Sequence, residues 1–311
     1  MNLQQLRYLQ EIVRRDLNIS QAADALYTSQ PGISKQIKAL EAELGIEIFV
    51  RNGKRITHIT EAGQLVLEIA QRVLLEADNL KQVGQEFRAQ DSGTLTLATT
   101  HTQARYALPP VVKQFIERYP AVKLNLHQGN PTQIAEQALA GEADVAIATE
   151  ALDQYDELVT LPCYEWHHCL IVPPDHPLLT ETELTLEKIA AYPIITYDFA
   201  FSGRSKINQA FEAAHIVPNI VLTAIDADVI KTYVELGLGI GIVAELAFVA
   251  ERDVRLRSLS LAHLLKANVT RLALRRNEFL RGYTYHFIEL FAAHLTRDVV
   301  MAALRKRREL D

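Results

Sequence analysis

At 311 residues, with 49% hydrophobic and 23% charged content, the chain is long enough for two or three domains and apolar enough to bury a sizeable core, which excludes gross disorder. The net charge of −6 is unevenly spread: residues 1–59 carry eight Lys and Arg against six Asp and Glu, and the remainder carries −8. A mildly basic head on an acidic body suits contact with a polyanion at one end and repulsion elsewhere. The N-terminus lacks a signal peptide's apolar centre, no apolar run reaches bilayer length, and two cysteines make no disulfide framework, so a cytoplasmic protein is expected.

Leu3–Arg15 reads as an opening helix with Leu6, Leu9, Ile12 and Val13 facing inward. Ile19–Leu26 follows, with Ala22, Ala23 and Leu26 on one helical face, and breaks at Tyr27-Thr28. A further helix runs to Leu44, with Ser29 as N-cap and Pro31 in the first turn, where a missing N–H costs nothing. Its apolar face is Ile33, Ile37, Leu40 and Leu44, and its other face carries Gln30, Ser34, Lys35 and Lys38. Gly45 ends it at the C′ position. Ile46–Phe49 and Ile56–Ile59 read as strands of a hairpin whose turn, Arg51-Asn52-Gly53-Lys54-Arg55, is basic with Asn-Gly at its tip. This is a winged helix-turn-helix. Thr28, Ser29, Gln30, Pro31, Ser34, Lys35 and Lys38 are expected at a DNA major groove, and Arg51, Lys54 and Arg55 at phosphates or the minor groove.

Thr60-Glu61-Ala62-Gly63 starts a long helix reaching about Arg88. Val66, Ala70, Val73, Ala77, Leu80, Gly84 and Phe87 recur at four and three, a heptad seam that favours a dimerising linker over a helix lying on its own domain. Asp91-Ser92-Gly93 is the hinge. Beyond it the pattern alternates: strands at Leu95–Ala98, Val122–His127 and Ala143–Ala148, helices at Ala107–Tyr119 and Thr132–Ala140. A second unit holds strands at Leu170–Val172, Ile194–Thr196, Ile220–Ala224 and Gly241–Val243, with helices near Ser205–Ala214 and Ala227–Leu236. Thr270–Leu274 and a helix at Gly282–Leu295 return the chain to the first unit. Parallel α/β sheets in two lobes, joined by two crossings, make a cleft that takes ligands at strand carboxyl ends. Arg305-Lys306-Arg307-Arg308 reads as a solvated basic tail.

Three places are equipped for a small ligand. Thr99-Thr100-His101-Thr102-Gln103 offers hydroxyls and an amide at a helix N-terminus, as an anion site or as plain capping. Thr149 ends a strand. Phe201-Ser202-Gly203-Arg204-Ser205 presents oxygen and backbone amide before another helix. Gly237-Leu238-Gly239-Ile240-Gly241 follows a helix and precedes a strand, the reverse of a dinucleotide fingerprint. Cys163, His167, His168 and Cys169 lack zinc-site spacing, and neighbours on a strand point to opposite faces. No nucleophile–base–acid set and no Walker-type loop stands out, so no metal, cofactor or enzymatic activity is expected.

Residues 1–63, through LxYL at Leu6, Tyr8 and Leu9, SQAADAL, SQPGISKQIKALEAELGIEIFVR and TEAG, resemble LysR-type transcriptional regulators. TTHTQARYALP (Thr99–Pro109), EWHHCLIVPPDHPL (Glu165–Leu178), FSGRS (Phe201–Ser205) and DADVIKTYVELGLGIGIV (Asp226–Val243) narrow the likeness to the CysB branch, regulators of cysteine biosynthesis and sulfur assimilation. The resemblance implies an α/β chain with a winged helix-turn-helix at 1–60, a linker helix at 61–91, and an effector domain of type II periplasmic-binding-protein fold at 92–311. Lobe I is expected at about 94–163 and 268–300, and lobe II at about 167–264. It further implies promoter DNA and RNA polymerase as partners, a dimer of dimers, and O-acetylserine or N-acetylserine as effector, with sulfate or thiosulfate in the same pocket. By position, Thr100, Thr102, Gln103, Thr149 and Ser202 would bind the effector, with Trp166 lining the cleft. Ser202 replaces the threonine of the pattern and keeps the hydroxyl. Asp198 and Ala200 depart further, which leaves open a different small-acid effector and another pathway. A solute-binding protein does not explain residues 1–60, and a cytoplasmic enzyme with a DNA-binding head would turn its ligand over.

Overall fold

The computed structural model describes residues 1–305 apart from Lys54, Ala89, Ala200 and Ser202. The chain divides into two compact units, Met1–Gln85 and Glu86–Asp311.

The first unit opens with α1 (Leu3–Arg14), α2 (Ile19–Ala25) and α3 (Gln30–Leu44). Asn2 and Gln5 close a reciprocal capping box on α1. Asn18 caps α2, and the Ser29 Oγ caps α3 by accepting the Gly32 N–H. α3 stops where Gly45 turns left-handed at φ 69°. Strands β1 (Phe49–Asn52) and β2 (Arg55–Ile59) pair antiparallel as the wing. β1 lies three residues beyond its expected position, because Ile46–Ile48 serves as a connector held by Glu41. One Glu41 carboxylate oxygen accepts the Ile48 and Phe49 N–H groups at 3.0 and 3.1 Å.

Helix α4 (Glu61–Arg88) is capped by the Thr60 hydroxyl, which accepts the Gly63 N–H at 2.8 Å and donates to Glu47 O. Gly63, Leu67, Ala70 and Leu74 pack into the head's own core with Leu6, Leu9, Ile12, Ile33, Ile37, Leu40 and Ile48. Leu65, Ile69, Val73, Leu80 and Phe87 are exposed. The expected heptad seam is therefore split. Ala70 belongs to the head, whereas Val73, Leu80, Gly84 and Phe87 face outward.

The second unit holds two five-stranded sheets. Lobe I contains β3 (Ser92–Thr99), α5 (Leu108–Arg118), β4 (Ala121–Gln128), α6 (Pro131–Leu139), β5 (Val145–Ala148) and β6 (Leu158–Trp166). Lobe II contains β7 (His168–Val172), α7 (Leu186–Ala190), β8 (Ile194–Tyr197), α8 (Arg204–Ala213), β9 (Ile220–Ala224), α9 (Ala227–Glu235), β10 (Ile240–Ala244) and β11 (Arg257–Ser260). β12 (Asn268–Arg275), α10 (Gly282–Phe291) and α11 (Arg297–Arg305) bring the chain back to lobe I. Their Tyr283, Phe287, Ile288, Val300 and Leu304 complete the core formed by Leu95, Leu97, Phe115, Val145 and Leu272.

Sheet order is β4-β3-β5-β12-β6 in lobe I and β11-β7-β10-β8-β9 in lobe II. The sheets are mixed rather than wholly parallel as expected. β12 runs antiparallel to β5 and β6, and β7 antiparallel to β10 and β11. The cause is topological: the chain leaves lobe I along β6 and re-enters along β12, so the two must oppose.

Gly63 tests the seating of α4. A Cβ there would sit 2.2 Å from the Ile48 carbonyl oxygen, a backbone atom that cannot swing away. Gly63→Ala should destabilise the head by about 1–3 kcal/mol or more by overpacking. Chemical denaturation monitored in the N-terminal unit checks this; unchanged stability would mean that α4 is seated elsewhere.

Candidate nucleic-acid interface and ligand cleft

Once Ile33, Ile37 and Leu40 are committed to the core, the 3.6-residue period leaves the opposite face of α3 outward. Ser29, Gln30, Pro31, Lys35 and Lys38 are exposed there, and Thr28 and Ser34 are half-buried. Tyr27, in the turn before α3, has φ 51° and is 98% exposed, an aromatic ring that the sequence reading passed over as a mere break. A groove of about 680 Å³ runs between the starts of α2 and α3 and the wing. Asn18, Ser20 and Gln30 line one wall, and Asn52, Arg55 and Thr57 the other.

The wing arginines differ. Arg55 is exposed, whereas the Arg51 guanidinium pairs at 3.2 Å with the second Glu41 oxygen, both side chains being mostly buried. Arg51 thus ties the wing to α3 before it can offer charge to a partner. Lys54 lies outside the described residues.

In the second unit, the segment after β3 enters a π-helical turn, Gln103–Ala107, ahead of α5. Thr100, Thr102 and Gln103 are all buried. Gln103 is already engaged: its amide N–H donates to the Thr270 hydroxyl at 3.1 Å, and its carbonyl accepts the Tyr164 hydroxyl. Thr102 hydrogen-bonds across the lobes to the Tyr197 phenol, which burial pushes above its ordinary pKa. Thr149, at the carboxyl end of β5, is half-buried. Trp166 ends β6 almost fully buried, and its indole N–H has no partner among the described residues. Its ring meets His168 edge-on at 5.0 Å.

Across the cleft, Gly203 adopts φ 72° as the N-cap of α8. Arg204 does not reach toward a ligand. Its guanidinium donates to Tyr197 O and, at 2.8 Å, to Asn208 Oδ1, and lies 4.9 Å from the Phe199 ring centroid. Ser202 and Ala200 lie outside the described residues. Asp198 is exposed, its carboxylate accepting the Phe199 N–H.

The sequence reading missed the groups that fasten the lobes together. Glu150, immediately after Thr149, accepts the Gly203 N–H at 2.6 Å, and its other oxygen is buried without a partner among the described residues. Burial pushes its carboxyl up to about 7 against the opposing pull of the Gly203 amide and Lys206. Tyr106 donates to Asp228 at 2.6 Å, and the Lys231 ammonium donates to Tyr106 at 2.9 Å while pairing with Asp228 and Asp253 at 3.2 and 3.1 Å. Position after a strand's carboxyl end was the signal available for Glu150; nothing local marks Tyr106.

His101, Asp226 and Asp228 bring ligand-type atoms within 4.8 Å of one another. Asp228 is already bound by Tyr106, Lys231 and Arg105, and the two cations among them oppose a metal ion there. Cys163 and Cys169 belong to separate cores, in lobes I and II. Burial pushes their thiols up to about 12 and about 11, so neither is a thiolate near neutrality.

Residues 3–64 match the profile of the bacterial regulatory helix-turn-helix protein of the lysR family, and residues 88–296 that of the LysR substrate binding domain. The chain is 56% identical over 306 residues to the HTH-type transcriptional regulator SsuR of Burkholderia cenocepacia, covering 98% of this chain and 99% of that one. It is 53% identical over 309 residues to CysB of the same organism, covering 99% of both. The crystal structure of the cofactor-binding domain of the Cbl transcriptional regulator superposes with a TM-score of 0.67 at 47% identity, over 70% of this chain and 95% of that one.

Glu150 makes stability depend on pH. Its folded-state pKa is raised from 4.5 to about 7, so the folded chain holds the proton more tightly than the unfolded chain. The associated stability is present below about pH 4.5 and is lost as pH rises toward 7. Glu150→Gln should therefore stabilise the second unit at pH 8 by up to about 3 kcal/mol and far less at pH 4.5. Denaturant midpoints at the two pH values test this; an equal difference at both would contradict it.

Proposed function

The chain belongs to the LysR family of transcriptional regulators, and on that premise we propose that its two-lobed unit senses a small anionic metabolite and that its winged head reads promoter DNA of sulfur assimilation and cysteine biosynthesis genes. The relation to regulators named CysB, SsuR and Cbl supports the pathway. The effector reading rests on one observation: the lobes meet through buried hydroxyl, amide and carboxyl groups, Thr102 on Tyr197 and Glu150 on the α8 N-terminal amide. The hydroxyls suit an oxyanion or carboxylate, and the Glu150 carboxyl suits a donor group on the same ligand. Acetylserines, sulfate and thiosulfate are the candidates. Asp198 favours a second reading, a different small acid with a cationic group, because its exposed carboxylate adds negative charge near the same helix.

In the head, Gln30 and Ser34 would hydrogen-bond base edges, Pro31 would make apolar contact, and Lys35 and Lys38 would reach bases or phosphates. The exposed apolar row of α4, from Leu65 to Phe87, is suited to cover against a second copy. A dimer of dimers would present several heads to spaced half-sites and to RNA polymerase. Effector binding would change how lobes pair between subunits, and so head spacing and DNA bend.

Calorimetry with O-acetylserine, N-acetylserine, sulfate and thiosulfate tests the effector reading; no heat from any of them would defeat it. For the head, Lys35→Ala should weaken operator binding severalfold or more, since a good base contact is worth about 1–3 kcal/mol. Arg55→Ala should lower the salt slope by about one unit for each phosphate that the arginine neutralises. Arg51→Ala, whose partner is Glu41, should chiefly destabilise the wing and change that slope least. Fluorescence anisotropy across a salt series separates the three, and equal slopes for Arg51→Ala and Arg55→Ala would contradict this division.

A further inference from the structure

We propose that Glu150 and Asn268 are an acceptor pair flanking the Gly203 amide that receives N–H or O–H donors of the effector, so that the cleft takes a small anion carrying such a donor in preference to an oxyanion that only accepts. The inference rests on the reading of the cleft as a small-anion site and specifies the second half of its chemistry.

Glu150 comes from lobe I and spends one oxygen on the Gly203 N–H of lobe II. Its second oxygen is buried and has no hydrogen-bond partner among the described residues. Asn268 begins β12, on the return crossing, and is 1% exposed. Its amide nitrogen contacts His168 Nδ1 at 3.4 Å, while its Oδ1 is buried without a partner among the described residues. That oxygen lies against Gly203: a Cβ on this glycine would come within 2.4 Å of it. Buried acceptors are ordinarily satisfied, because water is surrendered without return when they are not. Two acceptors beside one helix-capping glycine are left without a partner among the described residues. The Lys206 charge on α8 acts on Glu150 through space without a hydrogen bond to it.

The pair imposes a chemical preference. N-acetylserine brings hydroxyl and amide donors for the two acceptors, and its carboxylate is left for the threonine hydroxyls of the cleft, since Glu150 already holds the Gly203 N–H. Sulfate brings acceptors alone and meets an ionised Glu150 as a like charge. It binds well only when Glu150 takes up one proton, which removes the repulsion and turns the free oxygen into a donor. The raised carboxyl, near 7, puts that proton within reach at neutral pH.

Calorimetry on the full-length protein between pH 6 and pH 8 tests the inference with two probes, sulfate and N-acetylserine, whose own charges do not change in this range. Sulfate affinity of the unaltered protein should tighten about tenfold from pH 8 to pH 6, with uptake of one proton seen in buffers of different ionisation enthalpy. N-acetylserine should not tighten. Glu150→Gln should bind sulfate with no pH dependence and bind N-acetylserine about tenfold more weakly at pH 8. It also controls for every other titratable group in the cleft, His101 and Lys206 included. If both probes bind the unaltered protein and Glu150→Gln changes neither affinity nor pH dependence, the acceptor pair is overturned and the anion cleft stands. If neither probe binds at any pH, the cleft reading fails and the inference falls with it.

Discussion

The second unit depends on the antiparallel pairing of β6 with β12. Eight residue pairs register them, from Leu158 opposite Arg275 to Trp166 opposite Asn268. One strand carries the chain out of lobe I and the other brings it back, so the crossings share one ladder and sit side by side. Cys163 lies in the lobe I core and Cys169 in the lobe II core, which places the passage between lobes at Trp166–His168. Two adjacent strands resist sliding and permit rotation, the usual basis of hinge closure in two-lobed proteins. The last pair of the ladder also puts two polar side chains at the hinge itself, where each has an atom without a partner.

In the head, Glu41 has the corresponding role. It projects from α3, accepts two N–H groups of the connector into β1, and holds Arg51. The wing's position thus follows from the helix that carries the outward polar row, and the two surfaces are set by one carboxylate. Thr60 and Gly63 then fix α4 against the same connector, so the start of the long helix belongs to the head.

Much of this was legible in the residues. Caps, Gly45, and the apolar faces of α1 to α3 follow from local chemistry, and the βαβ units of both lobes stand out because their central strands are continuous apolar runs, and edge strands such as β4 alternate, between amphipathic helices. β6 was not legible. LVTLPCYEW neither alternates nor stays apolar, and Pro162, which cannot donate to a ladder, sits where the pairing shifts register. The α4 seam was legible only in part for a different reason: Leu67, Ala70 and Leu74 form a stripe of the same period, and only tertiary packing assigns Ala70 to the head and leaves Val73, Leu80 and Phe87 outward. Within the cleft, Thr100 and Thr102 are buried as hydroxyl-bearing residues at the lobe junction. The sequence could not reveal that Gln103 is satisfied by Thr270 and Tyr164, because those partners come from strands 167 and 61 residues away. Ser202 and Lys54 fall outside the described residues.

The bonds between the lobes differ in what they cost to break. Lys231 is buried with Asp253 inside lobe II and hydrogen-bonds the Ala247 carbonyl there. Tyr106, from lobe I, adds one further contact to that lysine and one to Asp228, and Arg105 of the same turn pairs with Asp228 at 3.3 Å in an exposed ion pair that water can replace at little cost. Parting the lobes exchanges the Tyr106 contacts for water while the charged pair stays intact, so no buried ion is stranded. The Thr102–Tyr197 and Glu150–Gly203 bonds are of the same exchangeable kind. At about 0.5–1.5 kcal/mol net for each such bond, the contacts holding the lobes together amount to a few kcal/mol. A ligand inverts a two-state balance of 1:99 with about 5.5 kcal/mol of differential affinity, and it acts only through that difference. Lobes bound by exchangeable hydrogen bonds and one exposed ion pair, around a buried pair that survives, keep the balance within reach of a ligand of modest differential affinity. Lobes bound through the ion pair itself would not, because separating them would leave a charge buried and alone.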